Sequence, residues 1–142
     1  MAGAAHLSTI LAVNLVTPRG VVAHTDADSV QAPGEEGEFE LLPGHVPMLT
    51  ALKGGVLTIG TKARARYAVG VGYLRVDPEG GVEILVEQAQ AAKDIDVEAA
   101  KNDLKSTEAE LVKWGDKAHD GDYKNLAARA GWARARIDAV TH

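Results

Sequence analysis

The two ends of this chain follow different compositional rules, and that contrast limits its fold more than any single motif. All five Pro and 12 of the 15 Gly lie at or before Gly81. Val is distributed the same way, with 12 residues before position 90 and only Val97, Val112 and Val140 after it. The last 52 residues carry instead 12 Ala and nine of the 15 Lys and Arg. Pro and Gly punctuate short strands and Val fills them, whereas Ala among charged neighbours suits helices. The 142 residues therefore divide near residues 88–93 into a sheet unit and a helical unit.

In the sheet unit, Val/Ile/Leu-rich runs alternate with turn signals. Candidate strands cover residues 11–16, 20–26, 29–32, 37–41, 56–60, 64–69, 73–77 and 82–87. The separators hold Pro18-Arg19-Gly20, Ala32-Pro33-Gly34, Pro43-Gly44, Gly54-Gly55 and Asp77-Pro78-Glu79-Gly80-Gly81, each supplying a fixed or positive φ. Short, evenly spaced strands predict a β-sandwich or a barrel. Val82, Ile84 and Val86 alternate with Glu83, Leu85 and Glu87, as one wetter face requires. Gly70-Val71-Gly72 lacks the third glycine of a phosphate loop and reads as a bulge or a close backbone approach.

The helical unit opens on Asp94-Ile95-Asp96 ahead of Val97 and Glu98, an acidic cap and first turn. Val97, Leu104 and Leu111 recur every seven residues, with Ala100, Thr107 and Trp114 between them. Residues 115–121 break the pattern, and Asp122 is placed to cap a second helix striped by Tyr123, Leu126, Ala130, Ala133, Ile137 and Val140. Two such stripes predict an antiparallel hairpin. Its Ala-rich seam buries little apolar area, at about 25 cal/mol per Å², so the hairpin is expected to open readily.

Reactive chemistry is scarce. With no Cys there are no disulfides, thiolate zinc sites or Cys nucleophile. His6, His24, His45, His119 and His142 show no metal-ligand spacing, so no metal is expected. Glu35, Glu36, Glu38 and Glu40 read as a solvated acidic edge. A net charge of −5 argues against nucleic acid, and no apolar run approaches the roughly 18 residues of a membrane span. These features suggest a cytoplasmic binding or structural subunit without catalytic residues or cofactors. The segment around Pro43, Gly44, His45 and Pro47 forms a stiff loop between apolar strands.

Residues 37–52, GEFELLPGHVPMLTAL, closely resemble the GEFGVLPGHAPLLTAL signature of the epsilon chains of F-type ATP synthases. The resemblance continues through residues 54–59, 71–76 and 82–89, then Asp94-Ile95-Asp96-Val97 and Gly121-Asp122-Tyr123. It covers the chain from Leu7 onward, in order and spacing. It implies an α+β fold, an N-terminal β-sandwich over residues 1–90 followed by a C-terminal antiparallel α-helical hairpin over 91–142. It also implies a non-catalytic rotor subunit of the central stalk, peripheral on the cytoplasmic face of the bacterial membrane and held there only through the complex.

The implied partners are the gamma chain and the c-ring, met by Glu38 and His45 on a loop shaped by Pro43, Gly44 and Pro47. The resemblance further implies a hairpin that extends into the catalytic head and inhibits ATP hydrolysis. There Lys124, Arg129, Arg134 and Arg136 of the second helix would engage the catalytic beta and alpha chains. Some relatives hold ATP in the compact hairpin. Of that pattern Ile95, Asp96 and Arg136 remain, while Ala99 and Trp132 stand where arginines are expected. Two guanidiniums are therefore missing, and nucleotide binding is expected to be weak or absent. The alternative is a free-standing β-sandwich binding module with a helical oligomerisation hairpin.

Overall fold

The computed structural model describes residues 10–61, 64–114 and 121–141, with the backbone alone at 114, 121 and 122. Ten strands come first: β1 (Leu11–Thr17), β2 (Gly20–Ala27), β3 (Ser29–Gly34), β4 (Gly37–Leu41), β5 (Met48–Leu52), β6 (Gly55–Gly60), β7 (Ala65–Val69), β8 (Gly72–Val76), β9 (Gly81–Val86) and β10 (Ala89–Ala91). A 3-10 turn (Ala92–Asp94) leads to α1 (Val97–Trp114) and α2 (Gly121–Thr141).

The strands follow one hydrogen-bonded path, β10-β7-β6-β3-β5-β8-β9-β1-β2, with β4 on the free side of β3. That path folds over at β3. Residues 29–31 pair with 58–60 of β6, whereas at the far end Gly34 pairs with Leu52 of β5. The result is a sandwich of two five-stranded layers joined at one corner. Between them lie Leu11, Val13, Leu15, Val30, Leu41, Leu57, Ile59, Leu74, Val82 and Ile84, all essentially fully buried. The alternation expected for Val82, Ile84 and Val86 holds, since all three point into this core.

Beyond one-residue shifts, one strand end and two whole strands differ from expectation. β3 runs through Ala32-Pro33 to Gly34 instead of stopping at Ala32. Pro33 sits at the bend where β3 exchanges β6 for β5, and it needs no donor there. The corner is closed by Lys53 N–H to the Pro33 carbonyl and Glu35 N–H to the Ala51 carbonyl, both 3.0 Å. β5 was hidden because Met48, Leu49, Ala51 and Leu52 make an apolar run without alternation. β10 is only three residues long, and its partner β7 fixes it. Gly72 is a close backbone approach, as expected: a Cβ there would run into the Leu85 carbonyl.

The helices form an antiparallel pair. Asp96 caps α1, its Oδ1 accepting the Ala99 N–H at 3.1 Å. Glu108 pairs with Arg134 and Asp103 with Arg136, so α1 runs down as α2 runs up. Ala100, Thr107, Leu126, Ala130 and Ala133 are buried along the seam. Thr107 donates its hydroxyl to the Asp103 carbonyl at 2.6 Å, so no buried hydroxyl is orphaned there.

The second helix carries one more apolar face than its stripe indicated. Trp132, Ala135 and Ala139 pack with Ala68, Val56, Ala92 and Ile95, fastening α2 to the outer surface of β6 and β7. The expected helix-capping role of Asp122 and the turn containing His119 lie outside the described side chains and residues, as do His6 and His142.

Candidate functional surfaces

Strand register assembles the most unusual surface of the molecule on the outer face of β5, β8, β9, β1 and β2. Ala51, Tyr73, Leu85, Val16 and Val21 are successive cross-strand partners and form one lateral row. Tyr73 is 57%, Leu85 48% and Val21 66% exposed. Two residues along, Leu49, Arg75, Glu83, Asn14 and His24 form a parallel row that is mostly polar. Arg75 and Glu83 form an ion pair at 3.0 Å, and the His24 ring is hydrogen-bonded to the Asn14 side-chain carbonyl. An open groove of about 740 Å³ borders the apolar row, lined by Val16, Pro18, Lys53, Val71, Tyr73 and Leu85 among others. Isolated exposed apolar residues need no explanation, but a contiguous row across neighbouring strands makes this face the candidate docking surface.

The loop singled out in the sequence lies between β4 and β5. Residues 42–45 make a type II turn: Pro43 fixes φ at the second position, Gly44 takes φ +86° at the third, and the His45 N–H donates to the Leu42 carbonyl at 3.1 Å. Gly44, His45 and Pro47 are exposed and Pro43 is half-buried. Glu38 is exposed on β4, the edge strand, with Glu40, which accepts from Gln31 Nε2 at 3.3 Å. Glu38 lines a groove shared with Leu49, Thr50 and Ala51 of β5, so this carboxylate borders the row positions on that strand.

The remaining candidate residues belong to the helical pair. Lys124 and Arg129 are exposed on α2. Arg134 pairs with Glu108 at 3.3 Å, both more than half exposed. Arg136 is different. Its side chain is only 15% exposed, pairs with Asp103 at 2.8 Å and lies 5.7 Å from the centre of the Trp132 ring. Asp96 is the cap of α1, and Ile95 belongs to the cluster beneath Trp132. The three residues that match the nucleotide pattern thus each have a structural partner within the chain.

Among the described residues, no group of three or more His, Asp and Glu is placed to hold a metal ion, and no helix is long and apolar enough to cross a membrane. The sequence reading missed Tyr73, Leu49 and Val21 as surface features. Its one signal was Leu85, an apolar residue on the wet phase of an alternating strand.

Comparison with known proteins points to one family for the chain as a whole. Residues 10–92 match the family model for the ATP synthase Delta/Epsilon chain, beta-sandwich domain. The chain is 40% identical over 131 residues to the ATP synthase epsilon chain of Geobacter sulfurreducens, covering 92% of this chain and 93% of that one. It is 38% identical over 131 residues to the epsilon chain of Anaeromyxobacter sp. strain Fw109-5, covering 92% and 97%. Its fold is similar to a chain in the OSCP/F1/c-ring structure of Euglena gracilis mitochondrial ATP synthase, with TM-score 0.79, 18% identity and coverage of 96% and 84%. A chain in the central stalk/c-ring structure of the Tetrahymena thermophila enzyme gives TM-score 0.60 at 20% identity, covering 92% and 96%.

Proposed function

The chain belongs to the ATP synthase delta/epsilon family, and from that premise we propose that it is a rotor subunit of the central stalk, coupling proton translocation to ATP synthesis. The observation that carries this reading is the exposed row of Tyr73, Leu85 and Val21 beside a mostly polar row. A stalk chain must stay fixed to its neighbour while torque passes through it. An apolar row flanked by charged and hydrogen-bonding side chains gives such a contact both buried area and register. We assign the gamma chain to this face. The polar loops of the c-ring are assigned to Glu38 and the turn of Pro43, Gly44, His45 and Pro47, where the turn geometry lowers compliance.

In this reading the subunit makes and breaks no bonds, and it needs no cofactor. It is peripheral at the cytoplasmic face of the bacterial membrane and is held there by the complex. The sandwich carries the stalk contacts, and the helical pair regulates. When the helices extend toward the catalytic beta and alpha chains, Lys124, Arg129, Arg134 and Arg136 meet acidic surface there and oppose ATP hydrolysis. In the folded-down pair, Arg134 and Arg136 are already engaged by Glu108 and Asp103. Opening the pair would release both cations and add them to the already exposed Lys124 and Arg129.

One experiment tests the core of the proposal. Leu85→Asp and Tyr73→Asp place a charge on the row without disturbing the buried core. Each variant should remain folded alone yet lose co-purification with membrane-bound ATPase activity. Retained co-purification would overturn the docking assignment. A chain ending after residue 120 tests the regulatory part. It should raise ATP hydrolysis by the assembled enzyme, and unchanged hydrolysis refutes inhibition by this hairpin.

A further inference from the structure

Gly70-Val71-Gly72, where β7 passes into β8, brings an apolar side chain and a carboxylate together at one end of the outer face. The Gly70 N–H donates to the Gln88 carbonyl at 2.9 Å, and the Glu87 N–H donates to the Val71 carbonyl at 3.0 Å. Two backbone bonds running in opposite directions thus tie this joint to the segment that follows β9. Gly72 lets β8 lie close against Leu85. Val71 and Glu87 are held side by side, Val71 49% exposed and Glu87 exposed.

Both residues line the open groove of about 740 Å³ described above. Val16, Tyr73 and Leu85 belong to the groove and to the apolar row alike, so the groove continues the row. Its other two charged lining residues are Glu35 and Lys53. The Glu35 N–H is bonded to Ala51 and the Lys53 N–H to Pro33, which sets both at the end of β5, where their opposite charges offset each other. Glu87 stands two strands away, because Leu52 pairs with Gly72 and Gly72 with Val86. Two strand spacings are about 10 Å, roughly the distance over which dissolved salt screens a charge. A wholly apolar occupant would strip water from Glu87 and leave its oxygens unpaired, which is unfavourable. A Lys or Arg beside the apolar group replaces those lost hydrogen bonds.

We propose that this groove anchors one segment of the gamma chain, with a large apolar side chain seated on Val16, Val71, Tyr73 and Leu85 and a neighbouring Lys or Arg bonded to Glu87. The inference rests on the gamma assignment made for this face. It gives that contact a recognition element: the apolar floor supplies buried area, and Glu87 fixes which way the segment runs.

Binding of the full chain to enzyme stripped of this subunit tests the role of the charge. Glu87 is exposed, so its substitution leaves the core intact. Glu87→Gln should weaken binding about three- to tenfold and Glu87→Lys about thirtyfold or more, while Glu87→Asp should stay within about threefold. About 0.5 M salt should weaken the parent chain more than it weakens Glu87→Gln. A Glu87→Lys chain that binds like the parent overturns the proposal. If Leu85→Asp still abolishes docking in that case, the gamma reading stands without the groove; if Leu85→Asp also binds normally, both fall. A benzophenone amino acid at position 71 in the assembled enzyme identifies the occupant. It should capture a gamma peptide carrying a large apolar residue next to Lys or Arg. Capture of the c-ring, of a second copy of this chain, or of a gamma peptide without that cation overturns the assignment.

Discussion

The sandwich and the helical pair bury their apolar surfaces with different side chains. Between the sheet layers the largest fully buried groups are Leu11, Leu15, Leu41, Leu57, Ile59, Leu74 and Ile84. On the buried faces of α2 they are Ala130, Ala133, Ala135 and Ala139, with Leu126 near one end. A leucine removes far more apolar area from water than an alanine, so most hydrophobic stabilisation resides in the sandwich. The lesson is a division of rigidity. On the proposed function, the sandwich would keep its shape under load and the helical pair would lie closer to an opening transition.

The largest effect should follow from emptying the strong region. Ile84→Ala removes a fully buried side chain from β9 and should cost about 2–5 kcal/mol, read from the urea midpoint. Gly72→Ala comes next. Its new Cβ would clash with the Leu85 carbonyl, so β8 and β9 must part. Overpacking of this kind costs about 1–3 kcal/mol, and near-native stability for Gly72→Ala would show the β8–β9 register to be softer than its geometry.

Within the weak region, Ala133→Gly removes a fully buried methyl from the helix seam. It should destabilise α2 by about 1 kcal/mol through backbone entropy and lost contact. Hydrogen exchange sharpens the comparison here. Acceleration confined to α1 and α2 keeps the two regions separate. The same acceleration in β1 and β9 would make the chain a single cooperative unit and end the contrast.

How much of this was legible beforehand follows from where the information is stored. Strand existence was visible wherever alternation and a Pro or Gly stop coincided, as at residues 82–87. It failed at Met48–Leu52, because a strand apolar on both sides has no period to read. The outer row was illegible for another reason. Tyr73, Leu85 and Val21 are far apart in sequence and become neighbours only through register, which no local pattern specifies. The same holds for Val71 and Glu87. The second face of α2 escaped because Ala135 and Ala139 resemble ordinary helix formers until a sheet is found beneath them. The turn at Pro43-Gly44 was fully local, and its conformation follows from those two residues.

A smaller effect concerns the nucleotide pattern. Asp96 caps α1 and Arg136 pairs with Asp103, so ATP would have to displace partners already in place. Calorimetry of the free chain should therefore give no micromolar affinity for ATP, and a micromolar value would overturn that expectation.

The smallest effect compares one ion pair from each region. Arg75 and Glu83 on the sandwich are 55% and 41% exposed, whereas in the helical pair Arg136 is 15% exposed against Asp103 at 54%. Exposed pairs contribute about 0.2–1 kcal/mol, and dissolved ions screen them. A double-mutant cycle with Arg75→Ala and Glu83→Ala should give a coupling in that range, falling further in about 0.5 M salt. The same cycle on Arg136 and Asp103 should give a larger coupling that salt alters less, because water reaches the guanidinium poorly. The sandwich would then carry the weaker ion pair and the helical pair the stronger one. That ordering is physically consistent, since a sheet already fixed by its leucines gains little from surface charge. A helix seated on alanines depends on it. Equal couplings with equal salt response would place the stability of the helical pair in its apolar seam alone.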